Sequence, residues 1–356
     1  MYSREITDPP KKLVKNGKPV FGTFLYAPAK LDIKGVEQPF GVLPLPSFIT
    51  DLRIRSTLFF VFNCEEYIGT IDFFDARLFG HAEVILWEKG SGRKLAYRAI
   101  IGPRKRLVPK TTAAGVCVSL NRNRYIRITW DLNCNRLSVV MDLKGDSARP
   151  SVSVAFNADI SPEKRGYVSA VLPAPIMRRC RALWMLSSPF VGHLNLKEAK
   201  GIPQTAKQAV NGSILFEIYK AYYSFKTKSI SAISTGVYKD KNFSFSITSS
   251  SLKAVDPDKY NENFLFYDNE TTLLPPVKIT YPYGIKGTWV IQDTENMVDL
   301  TFSPLSDHSR TISIFILRTQ SHSIYGTFSG VIQTKNGENI TLKEFPGIVR
   351  KQLMRL

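Results

Sequence analysis

Apolar and polar residues alternate with a period of two along much of this 356-residue chain. In the run 124–132, Ile126, Ile128, Trp130 and Leu132 share one face, while Arg127, Thr129 and Asp131 take the other. Phe243, Phe245 and Ile247 alternate in the same way with Ser244, Ser246 and Thr248. The pattern predicts strands with one buried and one wet face. Runs of this kind recur at 57–63, 67–74, 82–88, 136–143, 151–157, 212–219, 297–302, 311–317 and 324–333. Asn336-Gly337 lies between two of them and is the strongest hairpin signal in the chain. Polar punctuation at 239–242 and 268–270 is similar. Closely spaced strands joined by hairpins, with no βαβ alternation, predict an all-β protein of two antiparallel lipocalin-like barrels or barrel-like sandwiches with few short helices.

Helical periodicity is almost absent. The segment 348–356, following Pro346 and Gly347, is expected to form a short basic helix, and 197–210, interrupted by Gly201 and Pro203, a loop with at most a turn or two. The Pro-rich segments 39–46 and 173–211 suggest connectors. The expected organisation is an N-terminal barrel-like half over 1–180, a connector over 181–211 and a C-terminal barrel-like half over 212–356.

An apolar content of 44% and an aromatic content of 12% exclude a disordered or collagen-like chain. The net charge is +18 and is concentrated in the middle: residues 101–250 hold 23 basic and 8 acidic residues, a surplus of 15. Such a field attracts nucleic acid, anionic headgroups or acidic metabolites. Three basic clusters stand out: Arg104-Lys105-Arg106, the strand with Arg122, Arg124 and Arg127, and Arg178-Arg179-Cys180-Arg181. Trp130 falls on the opposite strand face from Arg127, which separates stacking from charge and disfavours nucleic acid. An anionic surface remains a partner class for the basic central region.

The four cysteines, Cys64, Cys117, Cys134 and Cys180, form no C-x-x-C pair, and the four histidines occur singly. Phosphate-binding, nucleophile-elbow and metalloprotease signatures are missing. Neither a metal nor a cofactor is expected. No apolar run approaches the ~20 residues of a membrane helix, and residues 1–30 hold no secretory apolar core. A reducing cytoplasm with free thiols is the expected setting.

Several segments, in order, resemble the domain-of-unknown-function family 2804. They are Asn16-Gly17-Lys18 with Phe21-Gly22-Thr23-Phe24, Tyr67-Ile68-Gly69 with Phe73-Phe74-Asp75, and Tyr260-Asn261-Glu262-Asn263. Leu274-Pro275-Pro276-Val277, Trp289-Val290-Ile291, 298–304 and 325–330 complete the series. The resemblance covers most of the chain and is strongest after residue 210. It implies a fold similar to two-lobed lipocalin-like proteins, a group that includes carotenoid hydratases and tocopherol cyclases. This chain departs from the family pattern at 221–225, where a Gly-Tyr-Tyr-Pro-type run reads Ala221-Tyr222-Tyr223-Ser224-Phe225. Ser229 and Ser231 stand at the apparent positions of two family tryptophans, and Glu217 at that of an acidic residue before the run. A pocket lined there would be wider or more polar than in relatives.

Two functions of different classes follow. One is binding of a hydrophobic small molecule, lipid or isoprenoid-like, in a barrel cavity lined by Trp289, Tyr222, Tyr223, Asn261, Asn263 and Phe264. The other is a hydratase- or cyclase-like enzyme that protonates such a molecule from a carboxylic acid kept neutral in an apolar cavity. Glu262 is the leading acid, flanked by Asn261 and Asn263; Asp299, Glu217 and Asp75 are the other candidates.

Overall fold

The computed structural model describes residues 2–41, 45–77, 79–102, 107–175, 178–197, 208–314 and 317–355. Strand makes up 64% of the chain and helix 2%. Two large sheets form two lobes, one a nearly closed barrel and the other a half-barrel. The first sheet runs Lys94–Ile101, Gly80–Glu88, Tyr67–Asp75, Ile54–Cys64, Gln208–Tyr222, Cys180–Lys197, Ser151–Asp159, Arg136–Leu143, Arg124–Asp131, Ala114–Asn121. Its two end strands come into contact, which nearly closes the barrel. The second sheet is ordered Glu270–Leu273, Phe264–Tyr267, Lys241–Ser250, Lys226–Tyr238, Asn339–Arg355, Leu317–Gln333, Val298–Ile314, Trp289–Gln292, Lys278–Thr280. Every neighbouring pair on these two paths is antiparallel.

Turn chemistry explains the hairpins. Lys239 and Asp240 both have positive φ, as do Asp268 and Asn269. Each pair makes a two-residue turn whose twist matches that of its strands. At Asn336-Gly337 the connection is longer, spanning 334–338, with Gly337 at φ 81° and its N–H donating to the carbonyl of Thr334.

The described residues of the connector expected over 181–211 are strand instead. Cys180–Lys197 and Gln208–Tyr222 pair with each other inside the first sheet, and the chain passes to the second sheet across 223–225. Proline misled the reading here. Cys180–Lys197 pairs along one edge with Gly166–Pro173 as far as Ser187 and with Ser151–Asp159 from Val191 onward. Pro189 sits in the gap between those partners, where its missing N–H interrupts neither ladder. Most of the expected 197–210 loop lies outside the described residues, as does Arg104-Lys105-Arg106. The C-terminal helix expected over 348–356 is also strand: Asn339–Arg355 is flanked by Lys226–Tyr238 and Leu317–Gln333, and two ladders outweigh a weak local preference.

Side chains fill the first barrel. Phe60, Phe62, Trp130, Phe216 and Ile218 belong to one buried cluster, and Trp130, Trp184 and Phe216 lie ring against ring. A second cluster around Phe245, Trp289, Phe302 and Phe328 fills the concave side of the half-barrel. A third lies between the lobes and joins Phe59, Val61 and Leu215 to Ile233, Phe264, Phe266 and Ile348. The third cluster changes the meaning of the alternation. Arg124–Asp131 has one wet face as expected, with Arg127 exposed opposite Trp130. Lys241–Ser250 does not: its serine face is covered by the first lobe, and Ser244 shares a hydroxyl hydrogen bond of 2.7 Å with Ser187.

That contact belongs to a buried network between the lobes. Thr235 shares hydrogen bonds with Ser213 at 2.7 Å and Ser244 at 2.6 Å, and Asn63 donates to the carbonyl of Thr235 at 2.6 Å. Thr235→Val keeps the shape and deletes two of these bonds. The expected cost is roughly 1–2 kcal/mol in urea unfolding; an unchanged midpoint would show that the network contributes nothing net.

No described helix is long and apolar enough to cross a membrane. Among the described residues no cluster of three or more His, Cys, Asp or Glu is placed to hold a metal. All four cysteines are free thiols.

Candidate functional site

Where the outer wall of the first barrel meets the second sheet, the packing opens into a cavity of about 90 Å³. At ~30 Å³ per water that is space for about three waters or one small alkenyl group. Register explains its lining. On the first sheet Glu217, Phe59, Asp72 and Glu83 stand level across four adjacent strands, and Tyr219, Thr57, Phe74 and His81 form the next row on the same face. The facing sheet presents Thr248, Ser231, Arg350 and Ser323 in one row and Ser250, Ser229, Gln352 and Ser321 in the next. Glu262 enters from the loop that follows Lys241–Ser250.

Charges across this interface are matched, with one exception. Arg350 donates to Asp72 at 2.7 Å and lies over the Phe59 ring at 3.8 Å. Arg310 donates to Glu83 at 2.5 Å and lies 3.0 Å from His81 Nε2. Arg98 also donates to Glu83, at 3.0 Å, and His308 is 3.5 Å from it. Burial opposes the ionisation of Glu83, but His308, Arg310 and Arg98 together outweigh it and hold its pKa at about 2. For His81, burial and then the adjacent Arg310 push the pKa down to about 4, so its imidazole is neutral at physiological pH. Arg181 lies 3.5 Å from Glu262; burial raises the Glu262 pKa against that pull.

The exception is Glu217. It has no ion pair among the described residues. Burial, and then the nearby Glu262, push its pKa up to about 8; Arg350, already engaged with Asp72, offsets this only in part. Glu217 is half-buried and lines the cavity. At neutral pH it is therefore a neutral carboxylic acid. Tyr219 and Tyr223 beside it are held protonated by burial and by the same two carboxyls.

The other candidates separate. Glu262 and Tyr223 line the cavity with Glu217. Asn261 and Asn263 brace the loop that carries Glu262: the Asn263 amide donates to the carbonyl of Pro275 at 2.7 Å, and its oxygen accepts from the Thr248 N–H at 2.8 Å. Asn261 accepts from the Asn263 N–H at 3.0 Å. Tyr222 points the other way, donating to the Ile33 carbonyl and Asp51 at the barrel end. Trp289 is buried in the half-barrel core against Tyr281, and Phe264 is packed in the apolar cluster between the lobes. Asp299 is exposed and accepts from Gln292. Asp75 accepts the N–H groups of Arg77 and Leu107. The sequence reading missed Asp72, His81, Glu83, Arg310 and Arg350; their signal was a charged residue in the middle of an otherwise apolar strand, as in Asp72 and Glu83. Ser229 and Ser231 both line this cavity.

No curated protein sequence matches the chain. Among solved structures, the kievitone hydratase from Nectria haematococca aligns over 91% of this chain and 96% of its own, with 9% identity and a TM-score of 0.42; a likeness at that level carries no argument about chemistry. Residues 221–356, which supply the second sheet and Glu262, match the model of a domain of unknown function, DUF2804.

Proposed function

We propose that the protein binds the unsaturated end of a small, mainly apolar molecule in the interlobe cavity and hydrates it by general acid catalysis from Glu217. The observation that carries this reading is a carboxylic acid with no ion pair among the described residues, its pKa raised to about 8, at a cavity whose apolar lining includes Phe59, Phe74, Leu252 and Met354. A carboxyl with a pKa near the working pH is well matched to giving and retaking a proton.

In the reaction the Glu217 O–H breaks as a C–H bond forms on the less substituted alkene carbon, leaving positive charge on the other. The faces of Tyr219 and Tyr223 stabilise that charge. Water adds to the cation, and its proton returns to the Glu217 carboxylate, so alkene and water become an alcohol. Among the described residues Asp72 Oδ1 and His81 Nδ1 have no hydrogen-bond partner, which supplies polar sites for a hydroxyl on the substrate. The apolar side chains packed through the middle of the barrel favour this cavity over one at the barrel centre.

The test incubates the protein with prenyl alcohols and prenylated phenols in ¹⁸O-labelled water and follows product mass. Incorporation of one labelled oxygen per added water is expected. No labelled alcohol from any member of the panel, or equal labelling with Glu217→Gln, would overturn the assignment.

A further inference from the structure

One end of the first barrel is lined by charge instead of apolar packing. Ser56 stands level with Asp75 on one side and Lys220 on the other. These positions share the inward face with Leu58, Phe73 and Ile218, one register step deeper, where the core begins. With Asp32, Lys34, Arg77 and Lys110 from the loops at this end, they line a cavity of about 530 Å³. That volume is ordinary for a small-molecule site.

Four cations, Lys34, Arg77, Lys110 and Lys220, face two carboxylates here. Asp75 is occupied by the N–H groups of Arg77 and Leu107, at 2.8 and 2.9 Å. Asp32 is bonded to Lys110. Lys220 is only 4% exposed, and its ammonium donates to the carbonyl of Pro109 at 2.7 Å. The side chains of Lys34 and Arg77 make no ion pair among the described residues. Among the described residues that line the site, cations outnumber carboxylates by two. The field is felt locally: burial and then Arg77 and Lys110 lower the pKa of Lys34, against the smaller opposing pull of Asp32 and Asp51. Arg77 holds its place at the rim with φ 66°, a left-handed backbone that costs a residue with a β-carbon ~1 kcal/mol or more.

We propose that this barrel mouth binds a phosphate-bearing anion. A phosphate monoester has a second pKa of ~6 and carries close to two negative charges at neutral pH, which matches the surplus, and its oxygens accept from ammonium, guanidinium and the Ser56 hydroxyl alike. Two sources offer that group: a free small molecule or a lipid headgroup. The second has a physical basis, because the adjacent helix Ser47–Asp51, tied to the mouth through Asp51 and Gly35, leaves Phe48 69% exposed.

Isothermal titration of the full chain with inorganic phosphate, and flotation with phosphatidylcholine vesicles containing phosphatidic acid, separate the sources. Saturable binding in either arm is expected, weakening as salt rises. Lys34→Ala and Arg77→Asn should each weaken it about tenfold. Asparagine tolerates the left-handed backbone, so Arg77→Asn removes the charge without disturbing the turn. Binding in the vesicle arm alone assigns the headgroup, and binding of free phosphate assigns a soluble ligand. No binding in either arm, or full binding by the Lys34→Ala/Arg77→Asn double variant, overturns the site.

Discussion

Between pH 6.5 and 8 the folded protein is expected to lose about 2 kcal/mol of stability, and Glu217→Gln to abolish that loss. The carboxyl titrates near 4.5 in the unfolded chain and near 8 in the fold. Across that window the folded state holds a proton that the unfolded state has released, so stability falls by ~1.4 kcal/mol per pH unit. His81 works in the opposite direction. Its ordinary value of 6.5 drops to about 4 on folding, so the unfolded state binds the extra proton between those values and stability rises with pH. The two contributions largely cancel from 4.5 to 6.5; above 6.5 only Glu217 of these two still titrates, over about 1.5 units. The glutamine variant should instead gain stability up to pH 6.5 and then level off. Urea unfolding at half-unit pH steps reads this directly, and a wild-type curve flat from 6.5 to 8 would show that Glu217 is ionised in the fold. The same variant should reduce alkene hydration by ~10²–10⁴-fold, the usual scale of a general acid. Loss of turnover with an unchanged stability profile would mean that Glu217 serves the reaction as an ordinary carboxylate.

The fold was legible because alternation is a local property. Ile126, Ile128 and Trp130 declare a strand whatever lies nearby, and the polar pairs at 239–240 and 268–269 declare its turns. The cavity was harder to read, because alternation says that one face of a strand is polar without saying what covers it. Ser244 and Arg350 look like solvent-facing residues until a second sheet is laid on them. Arg350 meets Asp72 across 278 residues of sequence, and no spacing rule reaches so far. Glu262 stands out in the sequence by its flanking asparagines, and the fold sets it at the cavity wall. Trp289 was a misleading cue for the same reason in reverse: a large aromatic in a strand is equally suited to lining a pocket or filling a core, and here Tyr281 and the half-barrel close over it. Glu217 was one acid among four until the fold removed its counter-ions.

Arg310→Met is expected to cost about 3–5 kcal/mol, more than any single contact in the cavity suggests, because its penalty falls on Glu83. Glu83 belongs to the first lobe, at 5% exposure, and its closest partner, Arg310, reaches over from the second. Without Arg310 the carboxylate keeps Arg98, itself partly exposed, and the 3.5 Å contact with His308. That is too little to balance a buried charge, and its depressed pKa should climb from about 2 back toward the ordinary 4.5. The sign with pH follows. A carboxyl whose pKa is lowered on folding adds stability above 4.5 that disappears as pH falls toward 2, so the variant should be weakened most at neutral pH and differ least in acid. Glu83→Gln combined with Arg310→Met removes both charges together and should recover most of the loss, with a coupling energy of at least ~1 kcal/mol in the double-mutant cycle. If the two substitutions simply add, the pair is not what joins the lobes, and the matched charges around the cavity serve its chemistry rather than its assembly.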